Sequence, residues 1–276
     1  IDGVINELSV MLNSNRFFEN AAKGVNMLNG FIKISLDGTV ELVQHHADLR
    51  QRFCIQYSYE PKLTAAHSGL LDTLFTGCFG AESEEYGSLI LQMYGASICG
   101  VGTQLKEPKA FILYGQTAAN GKSTIQEVLR RILPHDVICS ISPGDMDKEQ
   151  YLAKLIGASA NLSDELSNAA AISSDKFKAA ITGDPVTAKI IYKEPVEFKP
   201  KAMHILSTNV LPSFKGGIDA GIERRLLVIP FNRTIPVEER ISDFETKLMK
   251  EQGAILISEA IREAAMALKN GHYSVP

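Results

Sequence analysis

Residues 115–124 combine glycines with a lysine and adjacent hydroxyl side chains, which are residue types that bind phosphate. An apolar run at 110–114 precedes them and predicts a buried strand. Beyond the loop, apolar residues recur at the spacing of one helix face, at Ile125, Val128, Leu129, Ile132 and Leu133. Because backbone N–H groups of a small loop and of a helix N-terminus point at the same place, these elements predict a phosphate cradle.

The residues of this loop have distinct expected contacts with a nucleotide. Lys122 places a point charge on the β- and γ-phosphates, and Ser123 holds Mg²⁺. The other contacts are expected from Thr117, Ala118, Ala119, Asn120, Gly121 and Thr124. Five residues separate Gly115 from Gly121, whereas the usual loop has about four. Either the loop carries one extra residue or Gln116 occupies the first glycine position. An ordinary surface loop is the alternative, and the flanking strand and helix favour the cradle.

Two adjacent carboxylates lie at the end of the second strand-like apolar run after the phosphate loop. Asp164 and Glu165 end the run that begins at residue 158, and Asp164 lies 42 residues beyond Lys122. A phosphate loop needs one carboxylate to hold Mg²⁺ together with Ser123 and another to orient the attacking water. An isolated Asp-Glu pair is more often a solvated surface pair. Its place after a phosphate loop in a strand–helix–strand order favours Asp164 as metal ligand and Glu165 as catalytic base.

Three further polar residues mark the ends of two later strands. The strand predicted at 201–208 ends beside Asn209, whose amide could sense the γ-phosphate or position water. Arg224 and Arg225 precede the strand predicted at 226–231. Paired arginines usually lie on a solvated surface, but in an oligomeric ATPase one of them can reach a neighbour's γ-phosphate.

The order of elements predicts an α/β fold with a parallel sheet flanked by helices and preceded by a small α+β domain. Phosphate chemistry then lies at the carboxyl ends of the strands. Upstream we expect a helical segment at 1–28, a hairpin around Asp37-Gly38, a strand at 53–59 and helices at 68–100. The glycine-containing stretch at 100–108 marks a boundary. The predicted domains are 1–104 (small α+β and helical), 105–232 (ATPase core) and 233–276 (C-terminal helical segment).

Composition excludes few functions. The 276 residues are 45% apolar and 22% charged with a net charge of −4, which argues against a generally basic DNA-coating surface but not against a local basic channel. No apolar run approaches the roughly 18 residues that span a bilayer, so no membrane association is expected. The four cysteines lack metal-type spacing and are expected to be reduced, in a cytoplasmic protein. The chain begins at Ile1, and we expect it to be a piece of a longer protein.

In this order the motifs resemble those of superfamily 3 helicases. Residues 120–124 and 161–165 resemble Walker A and Walker B, and 178–189 resembles the motif that follows Walker B. Residues 207–209 resemble motif C with its sensor asparagine, and 224–231 resemble the arginine-finger strand. The similarity covers 105–232 and, more weakly, 24–104. It is greatest to the C-terminal helicase part of phage and plasmid primase–helicase proteins, with their poxvirus-type relatives. Residues 182–184 read Thr-Gly-Asp where many relatives have Thr-Gly-Gly-Asp, which puts only the loop geometry in question.

This resemblance implies a modified AAA+ P-loop NTPase that uses ATP and Mg²⁺. Such domains form a homo-oligomeric ring, usually hexameric, hydrolyse ATP between subunits and pull single-stranded DNA through the pore. It also implies a primase domain on the full-length chain, and a host-cell cytoplasmic location if the protein is encoded by a phage or plasmid.

A charged hairpin is predicted between two β-type runs, 187–192 and 196–199. In the family that this chain resembles, a hairpin at this place enters the pore. Lys189 and Lys193 would contact phosphates there, and Tyr192 would stack on a base. A surface hairpin with ordinary solvated lysines is the alternative.

Other functions remain open from the sequence. A P-loop kinase or other phosphotransferase would need an acceptor pocket but not Asn209 and the paired arginines in this order. A binding module with an inactive nucleotide site is opposed by the intact Lys122, Ser123, Asp164 and Glu165. An RNA-directed motor of the same superfamily is the nearest rival in mechanism.

Overall fold

The structure is a computed structural model, and it describes residue 18 and residues 21–62, 69–164, 172, 174–190, 194–215 and 217–276. The described chain begins with a four-stranded sheet of spatial order β3-β2-β1-β4. Its strands are β1 (Gly24–Met27), β2 (Gly30–Ile34), β3 (Val40–Val43) and β4 (Cys54–Ile55). β2 is antiparallel to both β1 and β3, whereas β4 is parallel to β1.

The Asp-Gly hairpin is confirmed between β2 and β3. Gly38 has φ +83°, the conformation that such a turn requires, and the Thr39 N–H donates to the Asp37 carboxylate at 3.0 Å. The strand expected at 53–59 shortens to the two residues of β4. The helical prediction for 1–28 is wrong at 21–28, none of which is helical. Alternate residues of 24–27 are buried, and all four of them pair with β2. Residues 1–17, 19 and 20 lie outside the described part.

Helices α1 (Leu70–Phe79) and α2 (Ser83–Cys99) confirm the helical prediction for 68–100 over its described residues. The remaining α-helices of the described residues are α3 (Lys122–Ile132), α4 (Glu149–Leu152), α5 (Ser174–Thr182), α6 (Ala220–Glu223) and α7 (Phe244–Asn270). α7 packs along α2, and their backbones approach so closely that a Cβ on Gly95 would lie 1.8 Å from the Ala260 carbonyl oxygen.

The central sheet confirms the predicted parallel α/β architecture. Its strands are β5 (Ala110–Tyr114), β6 (Ile138–Cys139), β7 (Ala160–Asp164), β10 (Met203–Thr208) and β11 (Leu226–Pro230). All four pairings are parallel, in the spatial order β11-β5-β10-β7-β6. A separate antiparallel hairpin is formed by β8 (Val186–Ala188) and β9 (Val196–Phe198).

Each face of the central sheet is covered by its own hydrophobic core. Phe111 and Leu113 of β5 belong to a core shared with α1, α2, α3, α7 and the small sheet. Ala110 and Ile112 point the other way, into a core shared with α4, α5 and β8. The first core is continuous from the small sheet to α7, and the division into three domains stays a prediction.

Within the described residues, no helix combines the length with the apolar composition that spanning a membrane requires. All four cysteines are free thiols, as the sequence predicts.

Candidate nucleotide site

The phosphate loop leaves β5 at Tyr114 and enters α3 at Lys122. Residues 116–119 are exposed, whereas Asn120 is 4% exposed. Two positions have positive φ, Ala119 at +53° and Gly121 at +91°. Gly121 is the N-cap of α3, and no side chain bonds to the helix N-terminus within the described chain. The first N–H groups of α3 are therefore directed at the loop without a capping side chain.

Gly115 begins the loop at a position where a side chain would not fit. A Cβ at this position would lie 2.6 Å from both the Asn120 side-chain nitrogen and the Phe231 carbonyl oxygen, so only glycine fits. Gln116 is exposed and donates to the Tyr114 hydroxyl at 2.9 Å. These contacts favour Gly115 as the first glycine of a loop with one extra residue, which stays a prediction.

Lys122 lies across the inside of the loop. Its ammonium donates to the Gly115 carbonyl at 2.8 Å and to the Asn120 side-chain oxygen at 3.2 Å. The side chain is buried, and this burial lowers the pKa of Lys122. A charge that has lost most of its water and is held only by neutral oxygens is strengthened as an anion partner, because the local dielectric is low.

Asn120 holds the loop in this shape. Its amide nitrogen donates to the Thr117 carbonyl at 2.6 Å and to the Phe231 carbonyl at 3.4 Å. Its oxygen accepts from Lys122. The sequence places Asn120 only among the nucleotide contacts, and its part in bracing Lys122 is visible only in the structure.

Neighbouring elements support the loop from behind. The Tyr94 hydroxyl of α2 donates to the Ile125 carbonyl in the first turn of α3 at 2.6 Å. Burial raises the pKa of Tyr94 well above its usual range, so the donor stays protonated. The Ile235 N–H donates to the Ala119 carbonyl at 2.9 Å, which ties the segment after β11 to the loop. Nothing in the sequence indicates either contact.

Asp164 ends β7 at the same edge of the sheet and is engaged by Arg130. The Arg130 guanidinium donates to the carboxylate at 2.7 Å, and the two side chains are 30% and 59% exposed. Sequence reasoning missed Arg130. A signal was present, because Ser123, Glu127 and Arg130 share one helix face at i, i+4 and i+7.

Asn209 follows β10, which lies between β5 and β7. Thr208 pairs with Tyr114 on one side, and Ser207 pairs with Asp164 on the other. The exposed Asn209 therefore lies at the strand ends between the phosphate loop and the carboxylate.

Arg224 and Arg225 are not part of this cluster. They precede β11, whose Leu226 pairs with Ala110 at the start of β5. Since β11 has five residues, the arginines lie about 16 Å from the phosphate-loop edge, at roughly 3.3 Å per residue. Arg224 is exposed, whereas Arg225 donates to the Gly221 carbonyl at 2.7 Å.

The β8–β9 hairpin confirms the predicted hairpin, with shorter strands than expected. Lys189 is exposed, and its N–H donates to the Glu149 carbonyl at 3.2 Å, which fixes the hairpin against α4. Tyr192, Lys193 and the expected base Glu165 lie outside the described residues.

The residues present fit a Mg²⁺-bound nucleoside triphosphate. Gly115 packs the loop against Asn120 and Phe231 where a Cβ would clash, the N-terminus of α3 has no side-chain cap among the described residues, and Lys122 supplies the charge. The Ser123 hydroxyl is exposed at the start of α3, and Asp164 ends a strand of the same sheet edge. Hydroxyl and carboxylate oxygens, with phosphate oxygens, are the ligands that Mg²⁺ prefers.

Comparison with known proteins gives a family match, a relative and structural neighbours. Residues 113–225 match a family of unknown function (DUF5906). A protein of Acanthamoeba polyphaga mimivirus named "Putative helicase L207/L206" is 34% identical over 165 residues, which are 57% of this chain and 16% of that protein. The chain therefore spans a small part of this relative's length.

Solved structures of the NrS-1 C-terminal region share the fold. One apo structure has a TM-score of 0.53 and 15% sequence identity, covering 76% of this chain and 51% of the other. A second has a TM-score of 0.53 and 16% identity, covering 80% and 52%. At this identity the similarity establishes the fold. It agrees with the α/β, P-loop-like architecture built up above.

Proposed function

We propose that this chain is the ATP-dependent motor of a DNA helicase, a modified AAA+ domain of superfamily 3 from a phage or plasmid type of primase–helicase. The observation that carries the proposal is one sheet edge that brings together the phosphate loop with Lys122, the strand end at Asp164 and Asn209 between them. The mimivirus relative's name supports a helicase, and the NrS-1 structures support the fold.

In this proposal the chain's own residues divide the work of ATP hydrolysis. Lys122 and the N–H groups of α3 hold the β- and γ-phosphates, while Asn209 orients the γ-phosphate end. Ser123 and Asp164 would hold Mg²⁺, which neutralises charge on the phosphates when bound. Glu165 takes a proton from the attacking water.

Hydrolysis needs a second subunit, because the arginines lie at the amino-terminal ends of the strands, whereas their own phosphate loop lies at the carboxyl ends. An exposed Arg224 is free to extend to a neighbour, whereas Arg225 is bonded to the Gly221 carbonyl of its own chain. We therefore assign the finger to Arg224. A ring, with six subunits as the usual number in the family, places every finger at a neighbouring phosphate loop.

Single-stranded DNA is the proposed track, bound by the β8–β9 hairpin. Lys189 and Lys193 contact phosphates and Tyr192 stacks on a base, so binding is independent of sequence. Replacing both lysines by alanine is expected to weaken single-strand binding equally on all sequences and to flatten its salt dependence. Unwinding falls, while ATPase activity without DNA is retained. Unchanged affinity and unwinding would place the DNA path elsewhere.

The nucleotide site is tested by Lys122→Ala, which is expected to abolish hydrolysis, with Ser123→Ala weakening Mg²⁺-dependent binding. Lys250→Ala is the matched control, because Lys250 is exposed on α7. Glu165→Gln keeps ATP bound and almost unhydrolysed, whereas Asp164→Asn disturbs the metal. Normal ATP turnover by Lys122→Ala would refute the nucleotide site.

Subunit mixing tests the arrangement between subunits. Arg224→Ala is expected to lower kcat by about 10³-fold, the low end of the arginine-finger range. Mixing it with Lys122→Ala restores part of the activity, because some interfaces then pair an intact cradle with an intact finger. Arg225→Ala subunits are mixed with Lys122→Ala subunits in the same way. Absence of rescue with both would show that the arginines act within one subunit or not at all.

The rival functions are separated by two measurements. A phosphotransferase would remain a monomer, and its ATPase activity would not change when nucleic acid is added. The particle mass, measured in the presence of an ATP analogue and single-stranded DNA, shows the oligomeric state directly. An RNA motor would be stimulated by single-stranded RNA in preference to DNA of the same sequence.

A further inference from the structure

Lys178 of α5 forms an ion pair with Asp219, the residue directly before α6. The Lys178 ammonium donates to one carboxylate oxygen of Asp219 at 2.7 Å. The lysine side chain is 20% exposed and the aspartate 56%. This bond also lowers the pKa of Asp219, which keeps the carboxylate ionised. The pair joins two elements that are 41 residues apart in the chain.

The second carboxylate oxygen of Asp219 caps α6. It accepts the Ile222 N–H at 2.7 Å. Next to it, a Cβ on Gly221 would lie 3.0 Å from Asp219 Oδ1 and 3.3 Å from Lys178 Nζ, so the turn is closely packed around the pair. α6 has only four residues. A helix this short does not hold its own shape, and its geometry depends on these contacts.

α6 leads directly into the paired arginines. The Arg225 guanidinium donates to the Gly221 carbonyl at 2.7 Å, within α6. The Lys109 ammonium donates to the Arg224 carbonyl at 2.6 Å from the other side. The backbone that presents Arg224 is thus held by Lys109 at one end and, through α6, by Lys178 and Asp219 at the other.

The same lysine lies on the helix that precedes the hairpin. The Lys178 carbonyl accepts the Thr182 hydroxyl at 3.0 Å in the last turn of α5. The Asp184 N–H donates to the Ala179 carbonyl at 3.0 Å, and β8 begins two residues later at Val186. Val186 and Ala188 are buried in the core that also contains Phe177 of α5. The hairpin and α5 are therefore packed in one core.

We propose that Lys178 and Asp219 are positioning residues that link α5, the helix before the β8–β9 hairpin, to Arg224. Single-stranded DNA bound on the hairpin then positions Arg224 next to the nucleotide of the neighbouring subunit. This inference rests on the proposed function, since it gives the arginine a partner subunit and the hairpin a ligand. In this proposal neither residue contacts nucleotide or DNA. They act by fixing the position of Arg224.

The variants separate the ion pair from the helix cap. Asp219→Ser retains an oxygen that caps α6 but removes the charge, and Lys178→Met retains the length of the side chain. Lys178→Arg keeps the pair. Lys176→Met is the matched control, because Lys176 lies on the same helix and donates to the Asp147 carbonyl instead.

DNA-stimulated ATPase activity is the main measurement. Lys178→Met and Asp219→Ser are each expected to lower kcat with single-stranded DNA by about 10- to 100-fold, the loss that a misplaced group causes. The KM for ATP and the single-strand Kd stay unchanged. Lys178→Arg restores most of the activity, Lys176→Met has none of the defect, and the double variant is no worse than either single one.

Mixing and stability measurements exclude a merely structural role. Lys178→Met subunits are expected to regain activity when mixed with Lys122→Ala subunits, as Arg224→Ala subunits do, while their melting temperature stays near that of the wild type. If Lys178→Met fails to fold, Asp219→Ser carries the same test. Normal stimulated kcat in Asp219→Ser beside a defective Arg224→Ala would overturn this inference. A normal Arg224→Ala would overturn the proposed function instead.

Discussion

Replacing Gly121 by alanine is expected to lower the free energy of unfolding through two separable effects in the phosphate loop. Gly121 has φ +91°, and an alanine in the left-handed region costs about 1–2 kcal/mol. The added Cβ would also lie 2.3 Å from the Cys78 sulfur. Cys78 is 1% exposed on α1, so making room for the added Cβ displaces a buried thiol, and this overpacking adds about 1–3 kcal/mol. The total is about 2–5 kcal/mol, a large part of the roughly 5–15 kcal/mol that stabilises a typical domain.

Two companion variants separate these costs in urea unfolding. Gly100→Ala is the backbone control, because Gly100 has φ +62° and a Cβ there would meet no atom within 4 Å. It should cost only about 1–2 kcal/mol. Cys78→Ala removes the sulfur at a cost on the order of 1 kcal/mol. In the Cys78→Ala background, the free-energy cost of Gly121→Ala should fall to that of the backbone control. The double-mutant cycle then gives the energy of the contact with Cys78.

The midpoint of unfolding with an unchanged m-value is the measured quantity. Equal losses from Gly121→Ala and Gly100→Ala would refute the contact with Cys78. Full recovery in the double variant would refute the backbone strain. Binding of an ATP analogue should weaken in both Gly121→Ala proteins, because the N-terminus of α3 moves in each.

Three further predictions concern groups around the central sheet. Tyr94→Phe should lower the free energy of unfolding by about 1 kcal/mol, measured in urea, because its buried hydroxyl donates to Ile125; no loss would mean that the bond adds nothing. Burial lowers the pKa of His204 to about 4, below its ordinary 6.5, so the unfolded chain binds more protons between these values. Stability should therefore fall by about 3 kcal/mol as pH drops from 6.5 to 4, and His204→Leu should lack this slope in pH-dependent melting. Arg130→Ala should change stability by less than about 1 kcal/mol, since its pair with Asp164 is partly solvated. It should also lower the Mg²⁺ concentration for half-maximal analogue binding, and an unchanged Mg²⁺ titration would show that the pair does not compete with the metal.

The sequence by itself determined the local elements and the class of fold. The phosphate loop, the amphipathic α3 and the Asp-Gly hairpin depend on conformational preferences and periodicities within a few residues, so they are readable from the chain alone. The alternation of strand and helix likewise sufficed for a parallel sheet with covered faces. The short segment 24–27 was misread because four residues carry too little periodicity, and pairing with β2 decided its conformation.

Only the tertiary structure decided which of the candidate residues lie together. Strand order is a property of pairings between distant segments, and it puts β10 between β5 and β7 and hence Asn209 between the loop and Asp164. The same pairings put Arg224 and Arg225 at the opposite edge, although in sequence they follow Asn209 by only 15 and 16 residues. Side-chain contacts such as that of Arg130 with Asp164 depend on how helices cross the sheet. Local sequence patterns do not encode that geometry, because each strand of a covered parallel sheet is apolar on both faces whichever neighbours it has.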